Sequence, residues 1–92
     1  MNISHELIRQ TLLLQLEAAY PVSLPIKTLQ QGIQLAGIIV DKNDLIKELA
    51  YLLDKGFITF TQNELCPQQK RYKISTKGID FLDNENERQI SF

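Results

Sequence analysis

Cysteine and histidine each occur once in the 92 residues, as Cys66 and His5. A lone cysteine excludes an internal disulfide, and one cysteine with one histidine cannot complete a zinc site within a single chain. The four glycines, Gly32, Gly37, Gly56 and Gly78, are isolated from one another, so there is no glycine-rich phosphate loop. Long apolar runs are missing as well. The clearest, Leu12–Leu14 and Gly37–Val40, fall far short of the ~20 residues that cross a bilayer. The start of the chain lacks a charged segment followed by an apolar one, so the expected location is the cytoplasm. Nor is there an excess of positive charge. The formal net charge is −1, which argues against tight binding of nucleic acid by the surface as a whole but leaves room for a local basic patch.

What is present is organised around Asp41 to Phe60, DKNDLIKELAYLLDKGFITF. Leu45, Ile46, Leu49, Leu52 and Leu53 recur at three- and four-residue steps and predict a helix with one apolar face. Asp41 caps its start and Asp44 sits near its positive end. Lys55-Gly56 is a stop signal, a cation in the last turn followed by the residue that tolerates a left-handed cap. The aromatic and β-branched run Phe57–Thr61 then predicts a strand.

Before this stretch, Ser4 caps a first helix reaching about Ala19. Its core sector is Ile8, Leu12, Leu13, Leu16, Ala19 and Tyr20. Ile3, Leu7, Leu14 and Ala18 form a second apolar stripe on the opposite side, which predicts a homodimer interface. The competing expectation is that the C-terminal segment covers this stripe within one chain. Two prolines in YPVSLP break the helix. A second, shorter helix carrying Ile26, Leu29 and Ile33 follows and ends near Gly37. After Phe57–Gln62 comes a loop, then Lys70–Ser75, in which Tyr72 and Ile74 alternate with Arg71 and Lys73 as in a half-buried strand. Thr76 is read as the cap of a short last helix with Ile79, Leu82 and Phe81 inward. The domain is expected over residues 1–83, with 84–92 a polar C-terminal tail.

LIKELAYLLDKGFI and RYKISTKGIDFL carry a family resemblance. The first is similar to a leucine-rich recognition helix ending in a Lys-Gly-apolar-Ile turn. The second is similar to the aromatic-x-apolar-Ser/Thr-x-x-Gly ending of PadR-, MarR- and ArsR-like regulators. Over Ser4 to Asp83 the chain resembles the winged helix-turn-helix superfamily. The implied fold is mainly helical α+β, with three helices, a two-stranded β wing and a short C-terminal helix. In size and layout the chain also resembles small winged-helix proteins of Mu-like phages, through Arg9 before Leu12-Leu13, the proline-containing break and the closing TKG.

The resemblance implies a DNA-binding transcriptional regulator without catalysis, its third helix in the major groove and its wing on the backbone. On that helix Lys42, Asn43 and Lys47 are the candidates for base contacts, and Tyr51 for a phosphate or sugar. Asp44, Glu48, Asp54 and Lys55 complete a face read as exposed and charge-balanced, which also fits a solvated helix side. In the wing Lys70, Arg71 and Lys73, with Lys77 close by, suit phosphate contacts. The bland counterpart is a charged edge strand that resists aggregation. Gln68 and Gln69 add neutral donors at the tip.

His5 lacks a nucleophilic partner at a diagnostic spacing and reads as a surface residue. Asp80, Asp83, Glu85 and Glu87 lack the pattern of a calcium loop. Cys66 beside Glu64 is not expected to be an activated thiol. The expected partners are double-stranded DNA and a second copy of the chain, with no membrane, cofactor, metal or small-molecule ligand. The alternative is a winged-helix module that binds protein rather than DNA.

Overall fold

The computed structural model describes residues 5–62, 64–66 and 69–90, with side-chain surroundings for all of these except 86–90. Ser4 as a helix cap, Ile3 in the second stripe, and Pro67 and Gln68 in the loop lie outside the described residues. The order is α1 (His5–Ala19), β1 (Leu24–Pro25), α2 (Ile26–Leu35), α3 (Lys42–Asp54), β2 (Ile58–Gln62), β3 (Lys70–Ile74) and α4 (Thr76–Ile90). The fold is mainly helical α+β, as the resemblance implies.

α1 is the central post, packing against α2, α3, α4 and β3. It buries Ile8, Leu12, Leu13 and Leu16, the expected sector apart from its end. Ala19 is half-buried and Tyr20 is exposed, because α1 finishes at Ala19 and the chain turns away. α2 starts directly from Pro25, which is extended and offers no side-chain cap.

α2 and α3 end in the same way. Gly37 N–H donates to the Gln34 carbonyl and Ile38 N–H to the Ile33 carbonyl, at 3.0 and 3.1 Å. Gly56 N–H donates to Leu53 and Phe57 N–H to Leu52, both at 3.0 Å. These are Schellman ends, which require a left-handed residue at the crossing point. Gly37 and Gly56 supply it, with φ of 82° and 78°. At the other end of α3 the Asp41 carboxylate accepts from Asp44 N–H at 2.8 Å, the expected cap.

The sheet has the order β1-β3-β2 and is antiparallel throughout. β2 pairs with β3 in the register Ile58↔Ile74, Phe60↔Tyr72 and Gln62↔Lys70. β1 adds Leu24↔Tyr72 and Pro25↔Arg71 on the other side. The two-residue β1 is absent from the sequence reading. Its presence makes β3 the central strand, which corrects the reading of β3 as a protective charged edge. Proline is tolerated in β1 because β1 is itself an edge.

The start of α4 is tied to the α3–β2 turn. Ser75 N–H donates to the Phe57 carbonyl, and Ser75 Oγ donates to the Gly56 carbonyl. The same Oγ accepts from Gly78 N–H at 3.1 Å. Ser75, not Thr76, is therefore the cap. α4 also runs on to Ile90 rather than stopping near Asp83, so helix continues into the segment read as tail.

The core comprises Leu12, Leu13, Leu16, Leu29, Ile33, Ile38, Leu45, Leu49, Leu52, Ile58, Tyr72, Ile74 and Leu82, joined by Ile8. Burial pushes the Tyr72 phenol above its ordinary range. Two residues expected on the core face of α3 differ. Leu53 is only partly buried and Ile46 is exposed. Phe81 is also more exposed than expected, stacked on Phe57 with ring centroids 4.7 Å apart.

A Cβ on Gly78 would overlap the Phe57 carbonyl oxygen and crowd Ile74. Glycine inside a helix normally costs about 1 kcal/mol against alanine, so Gly→Ala there should stabilise. At this position we expect Gly78→Ala to destabilise instead, by about 1–3 kcal/mol as for overpacking, measured by urea denaturation. A gain in stability would show that α4 does not approach the Phe57 carbonyl this closely.

Candidate nucleic-acid interface

The outward side of α3 follows from what its inward side buries. Leu45, Glu48, Leu49 and Leu52 face the interior. At 100° per residue the opposite side carries Asn43, Lys47, Ala50 and Asp54, with Ile46 beside them. All five are exposed, as is Lys42 at the helix start. Asn43 and Lys47 stand one turn apart and are neighbours on this face.

Glu48 is the main departure from the sequence reading, which placed it among the exposed charges. It is 4% exposed. A carboxylate at that depth must be paired. Arg9 Nε donates to Glu48 Oε1 at 2.9 Å, and His5 Nδ1 pairs with Oε2. His5 and Arg9 are one turn apart on α1, so both reach the same carboxylate. His5 is thus exposed over much of its ring but engaged at one nitrogen, more than a plain surface residue. The signal for this triad was present. Glu48 lies three residues after Leu45 and four before Leu52, inside the apolar stripe rather than opposite it.

The same arginine fixes Tyr51. The Arg9 guanidinium carbon lies 3.6 Å from the Tyr51 ring centroid, a close cation–π contact. Tyr51 therefore leans toward α1 and lines a groove of about 520 Å³ with Arg9, Leu13, Lys55, Phe57 and Phe81. Tyr51 follows Lys47 by one turn, but its ring is turned to Arg9.

The wing cations divide between two faces. Lys70 is two residues from Tyr72 and shares its face, with its Nζ 5.1 Å from the Phe60 ring centroid. Arg71 and Lys73 lie on the other face, opposite Thr61 and Thr59. Arg71 and Lys73 thus share the face opposite Tyr72 and Ile74, as their alternation predicts, while Lys70 stands apart from them. Arg71 is also engaged: its Nη2 donates to the Ser23 carbonyl at 2.8 Å and its Nε to Ser23 Oγ at 3.2 Å. It helps to hold β1 against β3. Lys73 Nζ lies 5.5 Å from the Tyr20 ring.

On α1, Leu7, Leu14 and Ala18 are exposed on one side. Thr11 falls between them, its hydroxyl donating to the Leu7 carbonyl at 2.7 Å. Among the described residues no three His, Cys, Asp or Glu side chains are grouped to hold a metal. No helix among them is long and apolar enough to cross a membrane.

Removing Arg9 should leave the Glu48 carboxylate buried with only His5. We expect Arg9→Ala to cost about 3–5 kcal/mol in denaturant unfolding, the range for breaking a buried ion pair from one side. Arg9→Ala with Glu48→Leu should recover much of that loss, because the charge leaves with its partner. A double variant no more stable than Arg9→Ala would show that the carboxylate is not the source of the cost.

No protein-family model and no curated protein sequence matches the chain. A crystal structure described as a PadR-like transcription factor from Bacteroides fragilis is similar to it, with a TM-score of 0.76 and 20% sequence identity. The match covers 92% of this chain and 82% of that one. Nothing in the comparisons supports the further likeness to phage proteins. At this identity the likeness speaks to architecture alone, and with the helices, wing and closing helix described above it shows that the chain has a winged helix-turn-helix fold.

Proposed function

We propose that the chain is a double-stranded DNA-binding protein, a transcriptional regulator that acts as a homodimer. The observation that carries the proposal is the withdrawal of Glu48. With that carboxylate buried against Arg9 and His5, the outward α3 face presents Asn43, Ile46, Lys47 and Ala50, the first three of them in its N-terminal half. These carry one positive charge and no negative one; of the exposed α3 carboxylates, Asp44 flanks them in the first turn, where it complements the helix N-terminus, and Asp54 stands at the far end. Recognition helices of this class contact bases through their N-terminal residues. Lysine suits guanine and asparagine suits adenine. Lys42, at the start of α3, and Lys70 and Lys73, in the wing, suit phosphates, which position the protein without reading sequence. The similar solved structure is described as a transcription factor, which agrees with this reading.

A second reading, a protein-binding module, is favoured by Leu35 and Ile39, which are 89% and 87% exposed. Binding to random-sequence duplex DNA at low salt separates the two. The regulator binds, with an affinity that falls as salt rises. In Lys70→Ala with Lys73→Ala the logarithmic salt slope becomes shallower by about 0.9 for each phosphate no longer neutralised. Arg71→Ala should lower stability as well, through the missing bonds to Ser23. Absence of binding at low salt favours the protein-binding module.

The homodimer rests on Leu7, Leu14 and Ala18, an exposed stripe that a two-fold axis can pair with itself. Thr11 does not spoil the stripe, because its hydroxyl is satisfied within the helix. In sedimentation, the wild type should run as a dimer and Leu7→Glu with Leu14→Glu as a folded monomer. A wild-type monomer at high concentration rules the dimer out.

A further inference from the structure

Ile46 is not used by the core and is not accounted for by phosphate contacts. It is 45% exposed, while Leu45, Leu49 and Leu52 fill the interior beside it. A β-branched residue also lowers helix propensity slightly, so helix formation does not explain its presence. Ala50, four residues on, is exposed next to it. Asn43 lies three residues before Ile46 and Lys47 three before Ala50, so the four make one continuous ridge on α3. Apolar and hydrogen-bonding side chains therefore alternate along this ridge, with the exposed Asp44 on its flank.

We propose that Ile46 and Ala50 contact the 5-methyl groups of thymine in the major groove, beside an adenine contact from Asn43. The preferred half-site then contains A·T pairs. Among the four bases in the major groove only thymine presents a methyl group, and apolar side chains are its natural partners. The cations Lys42 and Lys47 on either side of Ile46 in sequence match the phosphates that flank the groove, which favours DNA over an apolar protein surface as the occupant. The inference rests on the DNA-binding reading above and goes further by assigning the apolar part of the face.

The test starts from the full chain and a randomised duplex library. The enriched site is resynthesised with deoxyuridine in place of thymidine, which removes only the methyl groups. Wild-type affinity should fall about four-fold for each contacted methyl, since burying a methyl-sized group is worth ~0.8 kcal/mol. Ile46→Ala should bind the thymine site more weakly and be less sensitive to the exchange than the wild type, with the sensitivity owed to Ala50 retained. The uracil exchange leaves the protein untouched, so its result does not depend on how well a variant folds. Equal wild-type affinity for the thymine and uracil sites overturns the methyl contact while leaving DNA binding standing. Unchanged sensitivity in Ile46→Ala overturns the assignment to that residue. No binding to any duplex at low salt overturns the DNA reading itself, and this inference with it.

Discussion

A buried carboxylate sets the geometry from which the rest of the molecule follows. Glu48 lies within the leucine stripe of α3, where an unpaired charge would be costly. Among the described groups its partners are Arg9 and His5, one turn apart on α1. The pairing fixes the rotation of α3 about its own axis relative to α1, since any other rotation would strand the charge. Arg9 then stacks on Tyr51, which holds that ring against α1. The outward side of α3 is what remains, Asn43 through Asp54, with Glu48 withdrawn from it and the exposed Asp44 at its flank. Buried ion pairs contribute little net stability against apolar substitutes, so the role of this one is better described as setting orientation.

The second constraint is the junction of α3, β2 and α4. The Schellman end at Gly56 sends the chain directly into β2, and Ser75 returns from β3 to bond both Phe57 and Gly56. Gly78 lets α4 pass close over the same carbonyl. The wing is thereby anchored at its base to the end of α3, while Arg71 and Ser23 hold β1 along its other side. The two elements proposed to meet DNA are consequently set by one hydrogen-bonded knot rather than by a flexible connection.

Much of this was legible in the residues. The leucine spacing of α1 and α3, the glycine stops and the alternation of β3 report local periodicity, and each appears where the pattern places it. The Ser-x-x-Gly ending was visible as a pattern, but its cause, the close approach to Phe57, is a tertiary fact. β1 was not legible, because two residues are too few to show alternation and Leu24–Pro25 reads equally well as a break. Glu48 and Ile46 were exchanged for a simple reason: chemical type was given precedence over position. Periodicity alone places Glu48 in the stripe and Ile46 at its margin. The same period-two rule that turned Tyr72 inward also puts Lys70 on the Tyr72 face, away from Arg71 and Lys73. The length of α4 was hidden by the polar sequence after Asp83, which lacks an apolar stripe.

The central claim is that pairing Glu48 with α1 turns the Asn43–Lys47 side of α3 outward as a DNA-reading surface. It is tested most directly by titrating the isotopically labelled protein with a short random-sequence duplex at low salt and following backbone amide resonances. The account predicts that the largest changes fall on Lys42, Asn43, Ile46, Lys47 and the wing around Lys70, with Leu12, Leu16 and Leu29 undisturbed. Changes centred instead on Leu7 and Leu14, on Leu35 and Ile39, or absent altogether, would contradict it.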